Sequence, residues 1–360
     1  MSQIPLARRA AALVLLGALL AVPAAHAQPV PAAGAPDDPV VVVVHGGAGT
    51  LRRGDFTPAQ DAAVRAAIEA ALRAGHAALA GGGPALDAVQ AAIEVLEDDP
   101  QFNAGRGAVL SADGVARHDA SVMDGATGLA GASSGTMHVR HPIQLARAVM
   151  EHSPHVLLTG EGAEEFALLQ GLEMKPNDWF VTAEARDDLA AVQARERARA
   201  ASTRGDAGPG LAPGLAPEPW QMTGTVGAVA LDAAEHLAAG TSTGGMTNKR
   251  WGRVGDAPIV GAGTYANDAT LGVSATGHGE YFIRLAVAHD IHARVAYLGE
   301  SADTAARHVI GTTLTEAGGT GGVIVLDRQG RAAAPFNTDG MARGTITRSG
   351  RVTVAIYADE

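Results

Sequence analysis

The chain reads as an α/β protein, a layered sandwich in which helices cover sheets, on three observations. Short β-branched or glycine-rich runs alternate with longer segments of helical apolar period, in the order β, α, α, β-rich, α, α, β-rich, α, α, β. The composition suits a large dry interior: 47% of residues are hydrophobic, 18% charged, and 46 of 360 are glycine. No internal repeat of roughly 20–50 residues is present, which sets solenoids and propellers aside.

Charge and cysteine usage narrow the function. A formal charge of −11 argues against a nucleic-acid partner, which wants a basic face to displace phosphate counterions. With no cysteine there is no disulfide, no thiolate nucleophile and no cysteine-ligated metal.

The first 27 residues read as a secretory signal. Arg8-Arg9 precede an apolar run from Ala10 to Val22, too short to span a bilayer comfortably, and Ala25-His26-Ala27 supplies a small-x-small cleavage site. The mature protein is expected to start at Gln28, cross a proline-rich spacer over 28–39, and be exported, to the periplasm, with no membrane attachment after signal removal.

Val40 to Val44 is a buried strand expected to enter a tight loop at His45-Gly46-Gly47-Ala48-Gly49. Thr57-Pro58-Ala59-Gln60 has the signature of a capping box with proline at the first helical position, and its helix runs to about Ala80, where three glycines stop it. A second helix covers Pro84 to Glu97. Short strands with turns at Asp113-Gly114 and Asp124-Gly125 fill 105–135, and helices return at Pro142–Glu151 and Glu161–Leu169. Beyond them, Thr225–Leu231 and Leu237–Ser242 form a hairpin, Glu280–Leu298 and Ala302–Ala317 are helical, and Gly322–Leu326 and Val352–Tyr357 are strands.

Residues 184–224 differ from their surroundings. An Arg/Ala/Asp-rich stretch runs into Gly208-Pro209-Gly210-Leu211-Ala212-Pro213-Gly214, a composition expected to form a mobile linker. A strand opening on a hydroxyl residue, Thr225, follows at once. Were the Gly224–Thr225 bond cut, Thr225 would carry an α-amine of intrinsic pKa ~8 beside its own hydroxyl, a nucleophile with a built-in base. Local pattern alone favours a threonine that merely opens a strand.

The surrounding motifs favour the chemistry. Thr241-Ser242-Thr243-Gly244-Gly245-Met246-Thr247-Asn248-Lys249, Gly252-Arg253-Val254-Gly255-Asp256 and Thr276-Gly277-His278-Gly279-Glu280 come after the junction. His45-Gly46-Gly47-Ala48-Gly49, Phe102-Asn103-Ala104-Gly105-Arg106-Gly107 and Asp119-Ala120-Ser121-Val122-Met123-Asp124-Gly125 precede it. From Val40 to the last strand, this set closely resembles the plant-type asparaginase/isoaspartyl peptidase family of N-terminal-nucleophile hydrolases. Gly244-Gly245 after Thr243 resembles that branch rather than the glycosylasparaginases, which tend to carry Asn-Gly there. Gln221-Met222-Thr223-Gly224 lacks the histidine often seen near the cut in relatives.

The resemblance implies a four-layer αββα sandwich made as one precursor and cut by itself between Gly224 and Thr225. An α-subunit (40–224) and a β-subunit (225–360) would together form one domain, and two αβ units a dimer. It implies Thr225 as nucleophile, Thr243 as the hydroxyl that tunes it, and Thr276 with Gly277 as oxyanion hole. Arg253 and Asp256 would hold the carboxylate and ammonium of an amino-acid head group, a task suited to one planar cation and one anion, with Gly279 completing the amine site. The expected small-molecule substrates are asparagine and β-aspartyl dipeptides, with no cofactor for catalysis. Leu96, Glu97, Asp99, Phe102, Ala104 and Arg106 match a loop that holds a structural Na⁺ through main-chain carbonyls.

Three rival readings make distinct demands. Gly131-Ala132-Ser133-Ser134-Gly135 satisfies the G-x-S-x-G pattern of a serine esterase, which requires a strand-to-helix elbow. The pairs His138/His141 and His152/His155 have metal-ligand spacing, although no H-E-x-x-H occurs. A periplasmic amino-acid-binding protein would use Arg253 and Asp256 without any cut.

Overall fold

The computed structural model describes residues 36–203 and 224–360. The signal segment 1–27, most of the spacer and the stretch 204–223 of the expected linker lie outside them. The described residues all fall in the unit that runs from Ala35 to Glu360.

The valine run opens β1 (Val40–Gly49), which does not stop at His45 but carries the whole His-Gly-Gly-Ala-Gly run as strand. Helix α1 (Pro58–Ala80) begins as its sequence says: Thr57 and Gln60 exchange both capping-box hydrogen bonds. Then come α2 (Ala85–Asp98), β2 (His118–Asp124), β3 (Ala130–Thr136), α3 (Pro142–His152), β4 (Leu157–Thr159) and α4 (Gly160–Leu169).

The expected linker begins instead as a long helix, α5 (Ala183–Thr203). Its Ala, Arg, Glu and Gln are strong helix formers, and Thr182 accepts the Ala185 N–H at its start. Ala185 and Leu189 dock it on Phe180, Ala108 and Leu110, Gln193 donates to the Ala112 carbonyl at 2.9 Å, and Glu196 pairs with Arg250 at 2.6 Å. The polar composition points to disorder, but a narrow apolar stripe and a few polar ties hold the helix where propensity is high.

The second half supplies β5 (Val226–Leu231), β6 (Leu237–Thr243), β7 (Thr264–Ala266), β8 (Leu271–Gly277), α6 (Gly279–Leu285), α7 (Val287–Leu298), α8 (Ala302–His308), β9 (Gly321–Asp327), β10 (Ala332–Ala333), β11 (Gly340–Thr347) and β12 (Val352–Tyr357). The single helix expected over 280–298 is broken at Ala286, which adopts a left-handed conformation (φ 48°). The one expected over 302–317 leaves α8 through a π-helical stretch, Val309–Leu314.

Two sheets result. One has eight strands in the order β12-β11-β1-β5-β6-β2-β3-β4, and the other four, β10-β9-β8-β7. Strand alternation assigns the layers. Val42, Val44, Ala228 and Ala230 face α1, α2 and α3, while Val43, Val229, Leu231 and Ala239 face Ala266, Ile324 and Leu326 of the smaller sheet. The smaller sheet's other face, Leu271, Val273, Ala275, Val323 and Val325, packs on α6–α8. The order helix, sheet, sheet, helix is the αββα sandwich the sequence led to expect. Layering matters here because the junction at Thr225 sits at the entry to the central strand β5, between layers and away from solvent.

Candidate active site

Thr225 precedes the first residue of β5, and the β5–β6 register sets Val226 opposite Ser242, so Thr243 comes alongside Thr225. The Thr225 hydroxyl donates to Thr243 Oγ1 at 3.0 Å, and Thr243 Oγ1 also accepts the Gly245 N–H at 2.9 Å. Both threonines are buried. On the other side, Gly224 lies against β1: a Cβ built on it would fall 2.2 Å from Gly47 Cα and 2.7 Å from Ala48 N. Only glycine at both positions lets these backbones meet. The Ala48 N–H in turn donates to Thr276 Oγ1 at 3.3 Å, bringing Thr276 to the same junction. Thr276 and Gly277 end strand β8, and Gly277, at φ 153°, turns the chain into α6.

Arg253, Asp256 and Gly279 form a second cluster. A Cβ on Gly279 would lie 2.8 Å from Asp256 Oδ1 and 2.9 Å from Arg253 Nη2, so the helix start touches both side chains. The two clusters are joined through Gly245, which bonds Thr243 and on which a Cβ would stand 3.4 Å from Arg253 Nη1. The structure thus brings Thr225, Thr243, Thr276, Arg253, Asp256 and Gly279 into one neighbourhood.

Its electrostatics are marked. Burial pushes the Asp256 carboxyl up to about 7, against the pull of Arg253. Asp256 Oδ2 is buried with no partner among the described residues, as if awaiting a donor. Arg253 is held bidentately by Glu280, whose own pKa the hydrogen bonds from His278 and Arg253 hold far below the usual carboxylate range. Lys249 is buried too, its Nζ donating to the carbonyls of Gly244 (2.7 Å) and Arg117 (2.8 Å). A cleft of about 500 Å³ opens beside Lys249 and Arg253, with Arg117, Ser134 and the exposed Trp251 along it.

Glu280, Lys249 and His45 were missed as site residues by sequence reading. Glu280 and Lys249 lie within recognised motifs but belong to types that normally face solvent. The fully buried His45, whose Nδ1 donates to the Thr225 carbonyl at 2.9 Å, lies 180 positions away.

The esterase elbow is absent. Ser133 and Ser134 lie buried within β3, flanked by antiparallel β2, and Ser134 donates to Asp119 at 2.7 Å. Among the described residues no cluster of three or more His, Cys, Asp or Glu side chains is placed to hold a metal. His141 pairs instead with the buried Glu97 at 3.1 Å.

The loop after α2 has the chemistry for main-chain cation binding. Pro100 has no N–H to close the last helical turn onto the Leu96 carbonyl. The loop then curls back until the Arg106 N–H reaches the Glu97 carbonyl at 2.7 Å. The Phe102 carbonyl accepts from Ala104, and the Asp99 carbonyl from Phe102; each oxygen keeps a second lone pair. The Glu97 side chain is engaged elsewhere, by His141, Ser242 and the Ile143 N–H, so only its carbonyl is available.

Residues 38–356 match the family model described as Asparaginase. The chain belongs to the asparaginase family. Among its relatives, the isoaspartyl peptidase of Escherichia coli K12 is 44% identical over 320 residues, covering 89% of this chain and 97% of that protein. A probable isoaspartyl peptidase/L-asparaginase of Arabidopsis thaliana is 40% identical over 327 residues (88% and 98% covered). The isoaspartyl peptidase/L-asparaginase of Rattus norvegicus is 37% identical over 320 residues (89% and 90%). These relatives are named as isoaspartyl peptidases and L-asparaginases, names of amide-bond hydrolases, which favours neither the esterase nor the binding-protein reading.

Proposed function

We propose that the protein hydrolyses β-aspartyl dipeptides and L-asparagine, releasing L-aspartate, after cutting itself between Gly224 and Thr225. The observation that carries the reading is Asp256 Oδ2, buried and without a partner among the described residues, beside Arg253 and in the same neighbourhood as the Thr225–Thr243 hydroxyl pair. An amino-acid head group would bring the ammonium that Asp256 lacks, and its carboxylate would meet the Arg253 guanidinium beside the Glu280 pair.

In the precursor the Thr225 hydroxyl attacks the Gly224 carbonyl, the peptide nitrogen becomes a free amine, and water releases the ester. The freed amine then takes the proton of the same hydroxyl as it attacks the side-chain carbonyl of the substrate. Thr276 and Gly277 face the developing oxyanion, and the protonated leaving amine departs. Water hydrolyses the β-aspartyl ester.

Three further assignments go with this reading. The N-terminal segment directs export to the periplasm, cut αβ units pair into a dimer, and the carbonyls of Leu96, Glu97, Asp99, Phe102, Ala104 and Arg106 hold a structural Na⁺. The cation would steady the loop carrying Asn103, whose Nδ2 donates to the Gly245 carbonyl; a higher melting temperature in Na⁺ than in choline is the expected sign.

The deciding experiment is the mass of purified protein and of its Thr225→Ala variant. The native chain should resolve into two fragments, the second beginning at Thr225, and the variant should stay whole and inactive. Activity in an uncut chain would sink the proposal.

A further inference from the structure

A buried histidine beside Thr225 has no part in the chemistry so far. His45 lies on β1, wholly shielded from water, and burial pushes its pKa down to about 3, so the ring is neutral. Its Nδ1 faces the Thr225 carbonyl at 2.9 Å, and its Nε2 faces Ser274 Oγ at 2.9 Å. A carbonyl only accepts, so Nδ1 carries the proton, Nε2 presents a lone pair, and the Ser274 hydroxyl donates to it.

The contact does not end at Ser274. Its oxygen meets Thr241 Oγ1 at 2.7 Å, Thr264 donates to Thr241 at 2.5 Å, and Ser121 Oγ lies 2.8 Å from Thr264 Oγ1. Ser121 donates to the Ala257 carbonyl at 2.6 Å, one residue beyond Asp256. His45, Thr241 and Ser121 belong to the large sheet, Ser274 and Thr264 to the small one. The row therefore crosses repeatedly through an otherwise apolar interlayer, joining the residue before β5 to the loop of Asp256.

The sequence makes room for it. Gly227, two residues after Thr225, pairs with His45 on one side and Thr241 on the other. A Cβ there would stand 2.0 Å from Ser274 Oγ and 2.5 Å from His45 Nε2. Any side chain at Gly227 would wedge the pair apart.

We propose that His45 and Ser274 are positioning residues for Thr225, gripping its carbonyl so that its amine and hydroxyl stay aimed once the preceding bond is cut. The inference rests on the reading of Thr225 as nucleophile. Cutting removes the covalent tether from a residue that precedes the first paired position of its strand, and such ends fray unless tied down. The Nδ1–H tautomer is the tie, and the Ser274 hydroxyl holds that tautomer: with the proton on Nε2, two lone pairs would face each other across 2.9 Å.

The test compares Ser274→Ala, Ser274→Thr, His45→Asn and His45→Leu with the native enzyme, on asparagine and on a β-aspartyl dipeptide, with rates expressed per cut β-chain. Misaiming the nucleophile should lower kcat of Ser274→Ala on the order of tenfold or more for both substrates, with KM within about twofold. Ser274→Thr returns a hydroxyl and should recover most of the rate. A Ser274→Ala enzyme that melts earlier but keeps its kcat would reduce the row to sheet packing and overturn the proposal; so would a loss carried by KM. If that variant is insoluble, the histidine pair decides. His45→Asn keeps a donor for the Thr225 carbonyl and should outpace His45→Leu, and equal losses would refute the tie. Thr225→Ala separates the two claims: activity in it removes the nucleophile itself, whereas an inactive Thr225→Ala beside a fully active Ser274→Ala removes only the positioning role.

Discussion

Arg253 is held by Glu280, not by Asp256. Nε and Nη2 of the guanidinium each donate to a different Glu280 oxygen at 2.9 Å, while Asp256 leaves one oxygen free. On the proposed reading, Glu280 aims the cation for the substrate carboxylate and leaves Asp256 for its ammonium. Replacing Glu280 with Ala frees the guanidinium, and KM for asparagine and for β-aspartyl dipeptides should rise about tenfold, equivalent to ~1.4 kcal/mol, with kcat little changed. Steady-state kinetics on both substrates measure this; an unchanged KM would remove Glu280 from the role.

Asp256 must be charged to hold an ammonium, yet burial pushes its carboxyl up to about 7. The charged form is present above that pH and lost as pH falls through it. KM should therefore climb below about pH 7, approaching tenfold per unit, while kcat at saturating substrate falls less, because bound ammonium keeps the carboxylate ionised. In Asp256→Asn the KM should be high and nearly flat across the same range.

Gly224 and Gly47 meet backbone to backbone, with 2.2 Å between a Cβ on the first and Cα of the second. Neither backbone can yield as a flexible side chain would. Gly224→Ala should displace the carbonyl from the Thr225 hydroxyl and slow the cut by on the order of a hundredfold, as misplacement near 1 Å does in other sites. Accumulation of full-length chain on denaturing gels over time tests it.

Lys249 ties the Gly244 carbonyl to that of Arg117, and burial lowers its pKa while Asp119 opposes the shift. Lys249→Met leaves both carbonyls without this donor and should cost about 2–4 kcal/mol of stability, read from urea unfolding. A change under about 0.5 kcal/mol would mean that water replaces the ammonium.

Where local chemistry decides, the sequence spoke clearly. The Thr57–Gln60 box, the proline at the start of α1, and the β5–β6 hairpin follow from propensity and period, and the structure has them. The threonines, Arg253 and Asp256 were legible because each lies in a short motif that resembles those of the asparaginase/isoaspartyl peptidase family. Other features were not. The His-Gly-Gly-Ala-Gly run looked like a loop, because glycine's weak preference for strands says nothing of the close approach of Gly224 that demands it. Helix α5 reads as disordered because it buries only Ala185 and Leu189 and otherwise docks through polar partners distant in sequence, Gln193 on Ala112 and Glu196 on Arg250. Strand β11, Gly-Met-Ala-Arg-Gly-Thr-Ile-Thr, has no simple alternation; pairing with β1 and β12 on either side holds it.

From the order of residues alone came the layer type, which depends on the short-range rules of period and caps; Thr225 as nucleophile and Arg253 with Asp256 as holders of an amino-acid head came as expectations from the motifs' resemblance to the asparaginase/isoaspartyl peptidase family. Folding alone chose which carboxylate pairs with Arg253, how deeply Asp256 is buried, and that His45 meets Ser274 across 229 positions. Such choices depend on distance through space and on exclusion of water, quantities that exist only once the sheets are stacked.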